Sequence, residues 1–336
     1  MIKIKTNYSL KTHNTFGIDV RAKKFIEYST KEALKSLIQE GEVTPPFLHI
    51  GSGSNLLFLG NYQGTILHSA IEEISIVEED DSSIVLAVGA GVDWDEFVAY
   101  TVSKEWYGLE NLSLIPGEVG ASAVQNIGAY GVEVKDLIVR VETIDSKGEE
   151  HTFEVADCNY SYRHSCFKEP QNRELFVTHV LFKLSKVEKY NLGYGSIQKA
   201  LASFDKISLA TVRQAIIEIR EAKLPNPSEI GNAGSFFMNP VVDRAHFEKI
   251  QAKYPHLPHY VISENEVKIP AGWMIDVLGW KGKSVGQAGV HSEQALVLIN
   301  KGEATGADVV NLAKQIQKDV LDEFNIRIHP EVNFIG

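Results

Sequence analysis

The sequence predicts an α+β fold, and three observations support this. Short apolar runs rich in β-branched residues recur along the chain, each bounded by Gly, Ser or charged residues, and these predict strands. Amphipathic helical patterns lie between them at irregular intervals, so a doubly wound parallel sheet, which needs regular alternation, is not favoured. At 336 residues the chain is also too long for one ordinary core, which predicts about two or three domains.

The predicted elements follow in chain order. The helix predicted at 93–104 has Trp94, Phe97 and Val98 at helical spacing, and the helix predicted at 209–223 stops before Pro225 and Pro227. The strand patterns cover residues 24–28, 47–50, 64–68, 71–77, 84–88, 137–144, 175–184 and 295–299. The helical patterns cover residues 31–40, 93–104, 209–223, 243–254 and 304–324.

Two breaks in the pattern predict the domain organisation. The clearest linker-like segment is 225–228, which contains two prolines, and a weaker break lies near 60–64. These breaks predict a small α+β domain at residues 1–64, a larger one at 65–224 and a third at 225–336.

Composition and charge exclude several classes of protein. A net charge of −11 argues against nucleic-acid binding, which needs a basic surface. Cys158 and Cys166 fit neither a disulfide framework nor a zinc site, and no metal site is expected. The N-terminus lacks a signal-peptide pattern, and no run approaches the ~20 apolar residues of a membrane span. We therefore expect a cytoplasmic protein without nucleic-acid or membrane partners.

A first glycine-rich turn directly follows the predicted strand at 47–50. Small residues in such a turn can point successive N–H groups into one concavity, which suits a pyrophosphate. The turn matches neither the dinucleotide fingerprint nor a Walker loop, and a tight structural turn is an equal alternative. The residues predicted to bind a cofactor here are Gly51, Ser52, Gly53, Ser54, Asn55 and Leu56.

A second glycine-rich loop lies at residues 115–131. A run of small residues of this kind is typical neither of a hydrophobic core nor of a polar surface, but it suits a flat cofactor lying against the backbone. The alternative is two tight turns joined by a short helix. Two such loops after strands favour a dinucleotide, and the absence of a Rossmann signature favours FAD on another fold over NAD. The predicted cofactor-binding residues are Pro116, Gly117, Gly120, Ala121, Ser122, Gln125, Asn126, Gly128, Ala129 and Tyr130.

A third segment, 231–240, places one hydroxyl, Ser235, beside the aromatic residues Phe236 and Phe237. Apolar rings next to a single hydroxyl indicate a pocket that excludes water when occupied. The alternative is a glycine-rich turn that leads into a buried strand, with Ser235 capping a backbone amide.

These segments, in this order, resemble the UDP-N-acetylenolpyruvoylglucosamine reductases, the MurB family, over nearly the whole chain. Tyr194 matches the tyrosine of the longer family subtype, whose loop closes over the bound nucleotide. The resemblance is carried by residues 14–17, 51–58, 115–134, 162–165, 223–225, 231–240, 288–291, 295–300 and 329–332.

The resemblance implies an FAD-binding fold of the vanillyl-alcohol-oxidase type with a C-terminal α+β substrate-binding domain. Residues 1–64 and 65–224 would then be two FAD-binding subdomains, and residues 225–336 the substrate-binding domain. The implied reaction is the NADPH-dependent reduction of UDP-N-acetylenolpyruvoylglucosamine to UDP-N-acetylmuramate, a step in bacterial peptidoglycan precursor synthesis. Hydride would pass from N5 of noncovalently bound FAD to C3 of the substrate. A monomer acting on a small-molecule substrate is expected.

The resemblance also implies roles for individual residues. Ser235 would donate a proton to C2 as general acid, Arg163 would bind the substrate carboxylate through its planar cation, and Glu331 would assist in protonated form. Arg163 and Glu331 could instead be surface charges, and Lys223 could be an ordinary cation at a helix C-terminus. The residues implied for substrate binding are Tyr194, Lys223, Asn239 and Gln294.

Three places depart from the family pattern, and one of them is Ser292–Glu293, which varies within the block that precedes Gln294. Glu118 replaces a small or neutral residue beside the flavin, where an unpaired anion would be unfavourable, and Met238 replaces a frequent lysine.

Two other functions fit parts of the pattern. One is a different flavoenzyme of the same fold, although neither loop has a His or Cys motif for covalent flavin. The other is a non-catalytic nucleotide-sugar-binding protein, which the joint presence of Ser235, Arg163 and Glu331 argues against.

Overall fold

The computed structural model describes residues 1–336. The chain forms two compact units. The first comprises Met1–Tyr8, Ala22–Gly53 and Gln63–Ala222, and the second comprises Ser9–Arg21, Ser54–Tyr62 and Lys223–Gly336. The division into domains at 1–64, 65–224 and 225–336 stays a prediction.

The regular elements are numbered in chain order. The strands are β1 (Ile2–Ser9), β2 (Arg21–Tyr28), β3 (Phe47–Ile50), β4 (Leu56–Phe58), β5 (Tyr62–Ser69), β6 (Ile74–Glu79), β7 (Ser83–Gly89), β8 (Gly128–Ala129), β9 (Val132–Glu133), β10 (Ile138–Asp145), β11 (Glu150–Glu154), β12 (Leu175–Ser185), β13 (Gly231–Ser235), β14 (Val241–Asp243), β15 (Tyr260–Val261), β16 (Glu266–Lys268), β17 (Ser284–Val285), β18 (Ala288–Val290), β19 (Val297–Asn300) and β20 (Asn333–Ile335). The α-helices are α1 (Lys31–Gln39), α2 (Trp94–Ser103), α3 (Val119–Gln125), α4 (Gly195–Leu201), α5 (Leu209–Glu221), α6 (Arg244–Lys253), α7 (Ala271–Val277) and α8 (Gly306–Phe324). None of these helices combines the length and the apolar character that crossing a lipid bilayer requires.

The first unit contains two larger sheets and the two-stranded antiparallel pair β8-β9. One of the larger sheets has strand order β1-β2-β5-β3, with β3 parallel to β5, and the other is the antiparallel sheet β11-β10-β12-β7-β6. The central strand β12 is buried along most of its length, which explains its nearly continuous apolar sequence. Helix α2 begins where the Asp93 side chain accepts a hydrogen bond from the Glu96 N–H, and it buries Trp94 and Phe97 against Phe182 of β12.

The second unit is built around the sheet β13-β19-β18-β17 and the long helix α8. Smaller pairings are the sheet β14-β16-β15 and the parallel pair β20-β4. Two glycines permit close backbone approach here. A Cβ at Gly231 would lie 2.2 Å from the Phe16 carbonyl oxygen, and one at Gly306 would lie 2.1 Å from the Phe58 carbonyl oxygen. The early segments Ser9–Arg21 and Ser54–Tyr62 therefore pack against the C-terminal part of the chain.

Candidate functional site

The predicted site residues are distributed over both units. The first unit holds Gly51, Ser52, Gly53, Arg163, Tyr194 and every residue predicted from the second glycine-rich loop. The second unit holds Ser54, Asn55, Leu56, Lys223, Ser235, Asn239, Gln294 and Glu331.

The first glycine turn has the features of a ligand-binding turn. Gly53 adopts a φ of +72°, which favours glycine. The Ser52 hydroxyl is buried without a hydrogen-bond partner in the protein. A buried hydroxyl of this kind costs free energy unless a ligand or water completes it. The turn therefore fits a bound group rich in acceptor oxygens, such as the diphosphate of FAD.

The two glycine-rich segments meet at Gly51. A Cβ at Gly51 would lie 3.1 Å from Glu118 Oε2 and 3.4 Å from the Ala121 Cβ. The residues predicted from two separate parts of the sequence are thus adjacent in the first unit.

The second glycine-rich loop contains a helix, α3, as the structural alternative proposed. A Cβ at Gly120 would lie 2.7 Å from the Ala90 Cβ, so Gly120 allows α3 to pack against Ala90. The Ser122 hydroxyl donates to the Val119 carbonyl at 2.7 Å. Gly120 and Ser122 therefore have packing roles within the helix, and their cofactor roles stay predictions.

The end of this loop is fixed by the side chain of Asn126. Asn126 has a φ of +45° and caps the C-terminus of α3. Its amide donates to the Ser161 carbonyl at 2.8 Å and to Glu133 Oε2 at 3.1 Å. Further along, the Tyr130 ring meets the Tyr194 ring edge-on, with centroids 5.6 Å apart. The structure therefore brings a predicted cofactor residue and a predicted substrate residue together.

Arg163 contacts the same loop. Its Nη2 donates to the Gly128 carbonyl at 2.8 Å and its Nη1 to the Asn126 carbonyl at 3.4 Å, while the guanidinium lies 5.3 Å from the Tyr162 ring centroid. Arg163 itself has a φ of +56°, which is unusual for a residue other than glycine. A guanidinium has five N–H donors, so it can hold these carbonyls and still meet a carboxylate.

Lys168, which the sequence did not single out, contacts two of the predicted site residues. Its Nζ donates to the Arg163 carbonyl at 3.0 Å and to Gln125 Oε1 at 3.2 Å. Nothing in the sequence distinguishes it from the other lysines, because its partners are close only in the folded chain.

Glu118, one of the departures from the family pattern, has a hydrogen-bonding partner in the folded chain. Its Oε1 lies 3.0 Å from His68 Nε2, and His68 Nδ1 lies 3.2 Å from Glu27 Oε2. Lys3 forms an ion pair with Glu27. Burial raises the pKa of Glu118 above its usual range, although His68 opposes this. Burial alone would lower the pKa of His68, but the hydrogen bonds and charges of Glu118 and Glu27 outweigh it and raise that pKa.

In the second unit, Ser235 is the last residue of β13 and pairs with Val297 of β19. The pairing is irregular between Asn232 and Ser235, and Gly234 has a φ of +66° at this irregularity. The Ser235 side chain is exposed, whereas the following Phe236 is fully buried. The strand therefore anchors its C-terminal end in the core and presents the hydroxyl outward.

Glu331 lies beside this strand end. Its N–H donates to the Phe236 carbonyl at 2.8 Å, and the N–H of Met238 donates to the His329 carbonyl at 2.9 Å. The Asn55 amide donates to the Glu331 carbonyl at 3.2 Å. The structure thus brings Ser235, Glu331 and Asn55 into one part of the second unit.

Two of the predicted substrate-binding residues each lie beside the first residues of α7. Asn239 Oδ1 accepts a hydrogen bond from the Ala271 N–H at 2.9 Å. A Cβ at Gly272 would lie 3.4 Å from Gln294 Oε1. Lys223 is exposed just beyond α5, and Tyr194 is exposed just before α4.

Comparison with known proteins gives a consistent result. Residues 22–154 match the model of an FAD binding domain, and residues 226–335 match the model of the UDP-N-acetylenolpyruvoylglucosamine reductase C-terminal domain. The UDP-N-acetylenolpyruvoylglucosamine reductase of Bacteroides fragilis (strain YCH46) is 60% identical, over 99% of this chain and 100% of its own length. That of Flavobacterium johnsoniae is 44% identical over the same shares of the two chains.

A solved structure supports the fold. The crystal structure of UDP-N-acetylenolpyruvylglucosamine reductase (MurB) from Thermus caldophilus superposes with a TM-score of 0.70 and 22% identity, covering 100% of this chain and 99% of that one. Together with the FAD binding domain match, this confirms the predicted fold class and FAD as the cofactor. The relatives confirm the resemblance seen in the sequence blocks: the chain belongs to the UDP-N-acetylenolpyruvoylglucosamine reductase family.

Proposed function

We propose that this protein reduces UDP-N-acetylenolpyruvoylglucosamine to UDP-N-acetylmuramate, with noncovalently bound FAD as cofactor and NADPH as co-substrate. Relatives that match along their whole length carry the name of this reductase. The observation that carries the proposal is the 2.8 Å hydrogen bond from the Glu331 N–H to the Phe236 carbonyl, which fixes Glu331 beside Ser235. Two polar groups next to buried aromatic rings suit proton transfer to a carbon atom.

The first glycine turn and the second glycine-rich loop would hold the FAD. Support comes from the unsatisfied Ser52 hydroxyl and from the positive φ of Gly53, which favours glycine at this turn. When bound, FAD supplies the hydride that reduces the double bond of the substrate.

Ser235 would provide the proton. Reduction at C3 leaves negative charge at C2, and this carbon is a strong base, so alignment matters more than the acidity of the hydroxyl. Ser235 would transfer its proton to C2, and solvent could replace that proton because the side chain is exposed.

Arg163 and Glu331 would stabilise the negative charge that spreads from C2 into the substrate carboxylate. Arg163 is always cationic and is held in place by the Gly128 carbonyl. Preorganised groups of this kind need no rearrangement during the reaction, which makes them effective. Glu331 would act in its protonated form, because an ionised carboxylate would repel the developing charge.

The UDP part of the substrate would be bound by Tyr194, Lys223, Asn239 and Gln294. The position of Asn239 and Gln294 at the start of α7 supports this. We also propose a cytoplasmic monomer without nucleic-acid or membrane partners, which the net charge of −11 supports for nucleic acids.

The test is anaerobic mixing with NADPH, followed by addition of UDP-N-acetylenolpyruvoylglucosamine, while the flavin absorbance is followed. Bleaching by NADPH and recovery on addition of the substrate are expected. Recovery with O₂ but not with this substrate would indicate an oxidase, and binding of the substrate without recovery would indicate a non-catalytic nucleotide-sugar-binding protein.

A further inference from the structure

A line of four titratable side chains runs through the first unit to the first glycine turn. Lys3 pairs with Glu27, Glu27 lies 3.2 Å from His68, and His68 lies 3.0 Å from Glu118. Glu118 Oε2 lies 3.1 Å from the position of a Cβ at Gly51. The inner end of this line is therefore a carboxylate in contact with the turn proposed to hold the FAD diphosphate.

A carboxylate at this place is unfavourable for a diphosphate unless it is neutralised. Glu118 is 9% exposed, so water screens it poorly. His68 is the one side chain that hydrogen-bonds both carboxylates, and only its protonated form donates from both ring nitrogens. With His68 protonated, the four side chains carry no net charge. With His68 neutral, they carry one net negative charge.

We propose that the His68 imidazolium neutralises Glu118 behind the first glycine turn, so that the protonation of His68 sets how tightly the FAD diphosphate is held. This inference rests on the proposed assignment of the turn to FAD. His68 acts as a positioning residue, because it reaches the cofactor site only through Glu118.

The surroundings of the network support this role. The pKa of His49 is lowered to about 3, first by burial and then by the charge of His68, so His49 stays neutral and does not substitute for it. The pKa of His68 itself is raised by its two carboxylate partners against the effect of burial. Four other titratable side chains face the network. Tyr8 lies near Lys3, and Tyr28 lies near His49 and Glu118. Glu72 and Asp93 lie near Glu118 and add negative charge there.

The sign of the pH dependence follows from this arrangement. Below the raised pKa of His68 the imidazolium is present and FAD is held tightly. As the pH rises through that pKa the imidazolium is lost, and the uncompensated Glu118 carboxylate repels the diphosphate. We expect the Kd for FAD to rise about tenfold across this transition, as for one poorly screened charge near the ligand.

The test is equilibrium titration of the apoprotein with FAD, followed by flavin fluorescence, over a pH series that starts below the ordinary histidine value of about 6.5 and extends into alkaline solution. Four proteins are compared: the wild type, His68→Gln, Glu118→Gln and the double variant. His68→Gln should bind weakly at every pH, Glu118→Gln should bind tightly without pH dependence, and the double variant should recover the affinity that His68→Gln loses. This recovery distinguishes a charge effect from a structural defect. If each substitution only disturbed the structure, their losses of FAD affinity would add up in the double variant.

His151→Gln is the matched control. His151 forms a similar pair with Asp145, at 2.9 Å, on the β10–β11 hairpin. This variant should keep the wild-type pH profile. A wild-type profile in Glu118→Gln, or failure of the double variant to recover affinity, would overturn the proposal.

A further variant separates this inference from the assignment of the turn. If Gly53→Val binds FAD as tightly as the wild type, the assignment of the turn is wrong and the inference falls with it. If Gly53→Val loses FAD while the His68 and Glu118 variants keep the wild-type pH profile, only the inference about His68 is overturned.

Discussion

The N–H of Glu331 donates a 2.8 Å hydrogen bond to the carbonyl of Phe236, the residue that follows Ser235. This bond joins two backbone groups, so it does not depend on the side chain of Ser235 or of Glu331. Replacement of either side chain should leave the position of the other unchanged. Kinetic effects of such replacements can therefore be assigned to the chemistry of the missing group.

Gly53→Ala should weaken FAD binding at least about tenfold, which corresponds to ~1.4 kcal/mol. The methyl group would be added to the turn proposed to hold the FAD, and the φ of +72° would add strain. The measurement is the Kd for FAD by flavin fluorescence.

Gly41→Ala is its matched control. Gly41 has the same φ of +72° and no atom within 4 Å of its Cβ position, so alanine there carries the same backbone strain without a proposed ligand. Equal loss of FAD from both variants would mean that strain, and not contact with FAD, is responsible. Gly128 is a poorer choice, because a Cβ there would lie 3.1 Å from Arg163 Nη1.

Arg163→Lys should slow reoxidation of the reduced flavin by the substrate at least about tenfold, or ~1.4 kcal/mol of barrier. Lysine keeps the charge but loses the planar group that holds the Gly128 carbonyl and meets a carboxylate edge-on. Stopped-flow absorbance measures this step. Arg140→Lys, at a surface ion pair with Glu154, serves as the control. Wild-type turnover in the Arg163 variant would place Arg163 away from the substrate carboxylate.

Asp95→Asn should lower the free energy of unfolding by about 2 kcal/mol at pH 7. Both Asp95 oxygens accept from Arg213, at 2.6 and 2.8 Å, which ties α2 to α5. Burial alone would raise the pKa of Asp95, but Arg213 and the Leu114 N–H outweigh it and lower that pKa.

The pH dependence of this effect has a definite sign. The pKa of Asp95 is lower in the folded protein than in the unfolded chain, where it is about 3.9. The stabilisation by the ion pair with Arg213 is therefore fully present above the unfolded pKa and is lost as the pH falls through the lower folded pKa. Urea unfolding should therefore show a difference between wild type and Asp95→Asn at pH 7 that shrinks in acid. Asp322→Asn, at an exposed pair with Lys318, should show little difference at either pH. A difference for Asp95→Asn that persists in acid would exclude the ion pair as its cause.

Most long elements could be predicted from the sequence because their patterns are local. The helix predicted at 93–104 is α2 with its two capping residues, and the strand predicted at 47–50 is β3. The N-terminal strand β1 was missed because the alternation of Ile2 and Ile4 with lysines covers only four residues and then continues into polar ones, which is a weak strand signal. Strand β13 was missed as well, since its glycines and alanine are typical of a turn.

The site could be predicted only where residue type carries the chemistry. Motifs were sufficient to propose Ser235 and Arg163 as site residues, whereas no motif indicated the partner of Glu118. His68 lies in β5, far from Glu118 in sequence, and nothing local to either residue indicates their contact. Pairings of this kind depend on the folded arrangement of distant segments, which a single sequence does not reveal.

The central claim is that Ser235 donates the proton to the substrate, and Ser235→Ala tests it most directly. Reduction of the flavin by NADPH requires no proton from Ser235, whereas reoxidation by UDP-N-acetylenolpyruvoylglucosamine does. Rapid mixing should show the first half-reaction nearly intact and the second slowed by at least ~10²–10⁴-fold, the usual contribution of a general acid, with partial recovery in Ser235→Cys. Equal loss of both half-reactions in the alanine variant would instead make Ser235 a structural or binding residue and contradict the mechanism.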